Sequence, residues 1–237
     1  MEWYIYPAIV VAGFLAGFIN TIAGSGSLIT LPLLMALGLP ANVANGTNRI
    51  GILLQNVVGV ASYRQKKVLD FKSSMKLVLP AVVGSVIGAR IAVNLNEAIM
   101  EKTIGGLLLF MFFIVLWRPS RWLKEQQGKS TIPYWVQAVI FFLIGIYGGF
   151  IQAGVGFFLL AGLVLGAGYD LVKANAVKVL IVLLYTPVAL AFFIYNHQVN
   201  FMYGFILAAG TMLGAWVGAR VDVNQGVRFV RYFLLGT

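Results

Sequence analysis

Long apolar stretches, broken by short polar or glycine-rich interruptions, run almost the whole length of the chain. They fall at 5–23, 26–39, 46–62, 76–93, 98–117, 133–153, 156–168, 174–195, 201–219 and 227–237. A helix crossing the hydrocarbon of a bilayer needs about 20 such residues, with a range of roughly 17–25. Most runs reach that length, but 26–39 and 156–168 are short. Each short run follows a glycine pair, Gly24-Ser25-Gly26 in one case and Gly154-Val155-Gly156 in the other. The pattern predicts an all-α polytopic membrane protein in which short broken or re-entrant helices follow glycine-rich tips.

Composition points the same way. Of 237 residues, 60% are apolar or aromatic and only 10% are charged, whereas soluble domains carry about 25% charged residues. The 17 Lys and Arg outnumber the 7 Asp and Glu, for a net charge of +10. Apolar runs separate these basic residues, so they do not form the continuous stripe that a nucleic acid requires. The absence of cysteine excludes disulfides, thiolate metal sites and cysteine nucleophiles. His197 is the single histidine, which argues against a histidine-based metal centre, and no cofactor is implied. No Lys or Arg precedes Arg49, so the first apolar run lacks the basic flank of a cleaved signal peptide and reads as a retained membrane segment.

The chain also repeats itself. Shifted by 130, 18 of the 71 positions from Gly24 to Asn94 are identical, including Gly38/Gly168, Asn45/Asn175, Gly84/Gly214, Gly88-Ala89-Arg90/Gly218-Ala219-Arg220 and Asn94/Asn224. Upstream of the tips the shift becomes 132, which aligns Gly17-Phe18-Ile19 with Gly149-Phe150-Ile151 and Asn20 with Gln152. Two homologous halves of about five segments each follow: 1–125, with a linker over 118–132, and 133–237. The final run is about half the length of its mate at 98–117, which reads as an incomplete or truncated last segment.

Lys and Arg in short loops stay on the cytoplasmic side. Arg64, Lys66, Lys67, Lys72 and Lys76 form one cluster, Arg118, Arg121, Lys124 and Lys129 a second, and Arg220, Arg228 and Arg231 a third. The intervening stretches 94–97 and 196–200 contain neither residue type. Placing all three clusters inside requires each half to cross an odd number of times. The expectation is therefore two inverted-topology repeats, as in many secondary transporters, with a cytoplasmic linker and both termini outside. If the first two segments of each half are hairpins, their tips enter from opposite sides and approach one another near the midplane.

The tips are also the candidate chemistry. Non-helical backbone at membrane depth is tolerated only where protein buries it or it lines a cavity. The amides at the start of the following helix, with its positive dipole end, suit an anion. Asn20, Gly24, Ser25, Gly26 and Ser27 supply such a site in the first half, and Gln152, Gly154 and Gly156 in the second. A bland surface turn is the alternative. Further on, Asn48, Arg49 and Lys178 stand just inside long apolar runs, where a cation needs water, a partner or a ligand. Snorkelling to the interface is the alternative for the two cations, and helix N-capping explains Asn45 and Asn175. The small-xxx-small pairs Gly13/Gly17, Gly84/Gly88, Gly145/Gly149 and Gly214/Gly218 read as helix packing. All seven acids, Asp222 among them, fall at span ends or in loops, which leaves no mid-span relay carboxylate and no paired catalytic carboxylates.

The stretch Gly17-Phe18-Ile19-Asn20-Thr21-Ile22-Ala23-Gly24-Ser25-Gly26-Ser27 with Leu31-Pro32-Leu33-Leu34 resembles the TauE/SafE family of sulfite exporters, also called the 4-toluene sulfonate uptake permease family. Ala41-Asn42-Val43-Ala44-Asn45-Gly46-Thr47-Asn48, Gly148-Gly149-Phe150 with Gly154-Val155-Gly156, and Lys173-Ala174-Asn175-Ala176 extend the resemblance over essentially the whole chain. Many members carry four glycines where this chain reads Ala23-Gly24-Ser25-Gly26. The resemblance implies a permease for sulfite, thiosulfate or an organosulfonate such as sulfoacetate, in a prokaryotic inner membrane. Coupling to protons or to the membrane potential is the expectation, since no P-loop is present. A passive anion channel, a membrane scaffold and a lipid-acting enzyme are the alternatives, and the residues favour a non-enzyme.

Overall fold

The computed structural model describes the backbone of residues 5–116 and 132–236, and the side chains of these apart from 72, 73, 112, 114–116 and 225–236. The second basic cluster and the side chains of Lys72, Arg228 and Arg231 lie outside the described residues. All regular structure among the described residues is helical. In chain order the helices are α1 (Ile5–Ile22), α2 (Ser27–Ala36), α3 (Ala41–Gln65), α4 (Phe71–Val93), α5 (Glu97–Leu116), α6 (Tyr134–Phe150), α7 (Val155–Gly166), α8 (Leu171–Tyr195) and α9 (Phe201–Gly236). The last turn of α7, Gly162–Gly166, is π-helical.

Turn chemistry recurs at the interval read from the sequence. Gly24 and Gly154 (φ +81° and +70°), Gly38 and Gly168 (+87° and +73°), and Lys67 and His197 (both +57°) take left-handed backbone at positions 130 apart. At α1 and α6 the helix stops, the chain turns through the glycines, and a helix too short to span begins. At 10 residues, α2 rises only about 15 Å, half of a hydrocarbon core.

Two expectations are corrected. Asn45 and Asn175 do not cap α3 and α8, because Pro40 and the Asp170 side chain, which accepts from the Lys173 amide at 2.9 Å, start those helices four residues earlier. Both asparagines are instead buried inside the helices with their amides turned to other elements. The apolar runs at 201–219 and 227–237 are also joined, since α9 runs unbroken from Phe201 to Gly236. No proline interrupts 220–228, whereas the mate of Asn224, Asn94, opens a turn before α5.

The most extensive helix pairs are α1 along α9 and α4 along α6, followed by α3 with α9 and α4 with α8. Glycine makes the first two possible. A Cβ on Gly17 would stand 2.3 Å from the Thr211 carbonyl oxygen, and one on Gly149 would stand 2.1 Å from that of Ser85. The outside of this bundle is apolar, with Leu15, Leu79, Val83, Leu109, Phe113, Trp135, Leu143, Phe205 and Leu213 all exposed. The inside combines an apolar core with buried polar groups, among them Asn45, Thr47, Asn48, Arg49, Asn56, Gln152, Lys178 and Asp222. Water disfavours both the broad apolar exterior and the buried charges, whereas hydrocarbon rewards an apolar exterior with its polar groups turned inward. Four helical stretches, Ile5–Ile22, Ser74–Val93, Leu171–Tyr195 and Phe201–Asn224, are long and apolar enough to cross a bilayer.

Close backbone approach is directly testable. Gly149→Ala is expected to lower stability in detergent by about 1–3 kcal/mol through overpacking. Gly105→Ala, where a new Cβ meets nothing within 4 Å, leaves it unchanged. Equal thermal midpoints for the two variants would remove the packing argument.

Candidate functional site

The two glycine tips touch. A Cβ built on Gly24 would lie 2.3 Å from the Gly156 Cα, and one on Gly156 would lie 2.2 Å from the Gly24 Cα. The Gly156 amide donates to the Gly24 carbonyl at 3.2 Å. Because α1 and α6 stop at these tips, their carbonyl ends finish inside the protein, carrying roughly half a negative charge each. Such ends need donors.

Each end is served by a cation from the other half of the chain. Arg49, on α3, is wholly buried and donates to the carbonyls of Gly148 (3.2 Å), Gly149 (2.7 Å) and Phe150 (3.2 Å) at the end of α6. It also reaches the Gln152 Oε1 at 3.4 Å and lies 4.6 Å from the centre of the Phe193 ring. Lys178, on α8, donates to the carbonyls of Asn20 (3.1 Å) and Thr21 (2.7 Å) at the end of α1, and to the Asn175 Oδ1 at 2.8 Å. The guanidinium fork spans several carbonyls, where the ammonium acts as a point charge. Neither cation snorkels.

Between the tips lies a cavity of about 10 Å³ lined by Asn20, Gly24, Ser27, Ile52, Asn56, Gln152, Val155, Gly156, Lys178 and Val182. That is room for roughly one water, so the tips must separate before anything larger enters. The Asn48 amide donates to Ser27 Oγ at 3.2 Å and its carbonyl accepts from Thr30 at 2.6 Å, which fixes the start of α2 against α3. Gln152 holds left-handed backbone, φ +68°, and its amide donates to Tyr185 and Thr186, both at 3.2 Å. A non-glycine residue in that conformation costs of order 1–3 kcal/mol and persists where its surroundings over-determine it.

Of the residues singled out from sequence, Asn20, Gly24, Ser27, Gln152, Gly156 and Lys178 come together around this cavity. Ser25 and Gly26 are buried in the tip between them. Asn48 and Arg49 act one layer back, through Ser27 and the end of α6. Gly154 faces away, since a Cβ there would meet Met111 at 2.4 Å. Sequence reasoning missed Ile52, Asn56, Val155 and Val182. The signal lay in a spacing of four: Asn48, Ile52 and Asn56 descend one face of α3, and their mates Lys178, Val182 and Thr186 descend one face of α8. It also missed the role of Asp222, which stands near the end of the stretch Phe201–Asn224 of α9 but is wholly buried, accepting hydrogen bonds from Tyr63 and Asn175.

Comparison with known proteins places the chain in a family. Residues 9–237 match the family model described as Sulfite exporter TauE/SafE. A probable membrane transporter protein, ORF9, of Sinorhizobium is 27% identical over 235 residues, covering 99% of this chain and 90% of the relative. A probable membrane transporter protein of Haemophilus influenzae is 27% identical over 220 residues, covering 92% of this chain and 86% of the relative. The probable membrane transporter protein YfcA of Escherichia coli is 28% identical over 219 residues, with 92% and 80% covered. No solved structure matches the chain.

The capping role of Arg49 predicts graded losses. Arg49→Lys keeps the charge but not the fork and is expected to cost about 1–3 kcal/mol of stability. Arg49→Met strips several buried acceptors of their donor and is expected to cost about 3–5 kcal/mol. Thermal unfolding in detergent measures both, and an Arg49→Met protein as stable as the parent would contradict the role.

Proposed function

The chain belongs to the TauE/SafE sulfite exporter family and is a membrane transporter, and on that premise we propose that it carries a small sulfur-containing anion: sulfite, thiosulfate or an organosulfonate such as sulfoacetate. The observation that carries this reading is the cavity between the two tips, where Lys178, Asn20, Ser27, Asn56 and Gln152 stand beside apolar Ile52, Val155 and Val182, behind an apolar exterior. Among the described residues, the buried charged side chains are Arg49, Lys178 and Asp222. Two positive charges against one negative leave an interior that favours an anion. Ser27, Asn56 and Gln152 offer neutral donors, and Asn20, Gly24, Ser25, Gly26 and Gly156 offer backbone, with the dipole of α2 directed at the same space.

Transport then follows from how the cavity is closed. The contact of Gly24 with Gly156 seals it, and entry of the anion separates the tips. That separation releases the Gly156 amide from the Gly24 carbonyl and turns it into a donor for the anion. Asn48, Arg49 and Gly154 hold the surrounding backbone in place. Alternating access comes from two inverted repeats, 1–125 and 133–237, rocking about the tips. The basic clusters orient the protein in the cytoplasmic membrane of a prokaryote with the N-terminus outside, and a proton gradient or the membrane potential drives it.

Proteoliposome flux of labelled sulfite, thiosulfate and sulfoacetate, with sulfate as control, tests the reading. Saturable uptake of a sulfur anion with counterflow is expected, and counterflow separates a carrier from a channel. Ser27→Ala should raise KM by roughly 2–10-fold, the equivalent of one neutral hydrogen bond. Absence of flux for all three sulfur anions, in folded protein, would send the substrate outside sulfur chemistry.

A further inference from the structure

The two halves build the same cation-capped helix end twice, and only one copy holds an acid. On the Arg49 side the relevant buried positions are Phe193, on α8, and Ala92, on α4. Their mates at the interval of 130 are Tyr63, on α3, and Asp222, on α9. All four are buried, at 0% exposure. One half therefore carries a phenol and a carboxyl where the other carries a phenyl ring and a methyl group. The two added polar groups meet, for the Tyr63 hydroxyl donates to the Asp222 carboxylate. The architecture does not require them, and burying a carboxylate costs several kcal/mol after relaxation.

Asp222 is wired to the cavity. The Asn175 amide donates to its Oδ1 at 3.3 Å, and the Asn175 carbonyl accepts from the Lys178 ammonium at 2.8 Å. Lys178 lines the cavity. Other titratable and charged groups approach Asp222 from the elements packed around it. From α3 come Tyr63 and its neighbour Arg64, an exposed residue turned onto the Phe71 ring at 5.7 Å. From α8 come Lys178 and, within electrostatic reach at its head, Asp170, which pairs with Lys173 at 3.4 Å. On α1 the titratable side chain is Tyr6, at the far end of the helix. On α9 itself Arg220 is exposed and stacks on Trp216 at 3.7 Å. Lys178 is the buried charge joined to Asp222 through Asn175.

We infer that Asp222, held by Tyr63 and Asn175, is the proton-binding site of the transporter, and that it sets the charge Lys178 presents to the anion. The inference rests on the anion-carrier reading and deepens it. With Asp222 ionised, the carboxylate offsets the ammonium in the cavity wall, and Arg49, one layer back on the end of α6, is left to attract an anion, so the cavity holds one weakly. A proton taken from water onto a carboxylate oxygen leaves a neutral carboxyl and an uncompensated Lys178 charge of +1. A monovalent anion then enters and offsets the Lys178 charge. On the other side the carboxyl returns its proton to water, the ammonium is again compensated and the anion leaves. Proton and anion thus bind together and move in the same direction. The relay carboxylate is the acid that hydropathy assigns to a span end.

The test uses the full chain in proteoliposomes with an inward acid gradient. One coupled proton supports up to about tenfold accumulation per pH unit. The parent is expected to accumulate the anion, and Asp222→Asn is expected to bring it only to the equilibrium level, independent of the gradient. Accumulation by Asp222→Asn equal to the parent's overturns the inference. Tyr63→Phe keeps the carboxyl and covers the case in which Asp222→Asn fails to fold. Its uptake should show a displaced pH profile, and an undisplaced profile overturns the inference. Infrared pH-difference spectra of the purified protein need no substrate. A titrating carboxyl band in the parent that Tyr63→Phe displaces supports the proton site even if no sulfur anion is transported, which separates this inference from the carrier reading. Absence of that band overturns it.

Discussion

Two apolar helices, α1 and α6, end buried inside this protein, and everything around the tips follows from satisfying their carbonyl ends. In lipid an unsatisfied backbone carbonyl costs several kcal/mol, so a helix cannot stop there without a donor. Arg49 and Lys178 are those donors. Each comes from the third helix of the opposite half, so the stability of each tip depends on the other half being in place. The crossing also explains why the halves are in intimate contact rather than side by side: α1 lies along α9 and α4 along α6, with glycine at the crossings.

Meeting that constraint also produces the proposed anion site. Once the carbonyl ends are capped by cations, the amide ends of the short helices face a small polar space with a surplus of positive charge. The tips close it with one backbone hydrogen bond, from Gly156 to Gly24. A single neutral hydrogen bond contributes about 0.5–1.5 kcal/mol net, a modest latch that the proposed anion replaces on entry. The features that let the helices break in the membrane are those that make the break useful to a transporter.

Much of this was legible in the sequence. The apolar runs located the helices, and the glycine pairs located both tips because glycine is where left-handed turns and backbone contact are cheapest. The interval of 130 found mates that the structure gives the same backbone. Three things were not legible. Helix continuity through 220–228 was hidden because the polar residues there mimic a loop. Asp222 looked like a loop acid because its partners, Tyr63 and Asn175, lie 159 and 47 residues away. Arg49 and Lys178 were recognised as cations in need of a partner, but their partners are carbonyls at chain distances of about 100 and 158, and backbone carbonyls leave no mark in a sequence.

The central claim is that a sulfur anion occupies the space between the two tips. Ligand binding to the folded state raises the thermal midpoint by mass action, so the most direct measurement is the midpoint of the parent and of Ser27→Ala across rising concentrations of sulfite, thiosulfate, sulfoacetate and sulfate. The account predicts a saturable rise with at least one sulfur anion in the parent, displaced to higher concentration in Ser27→Ala. Superimposable curves for the two proteins, or no rise with any of the four anions, would contradict it.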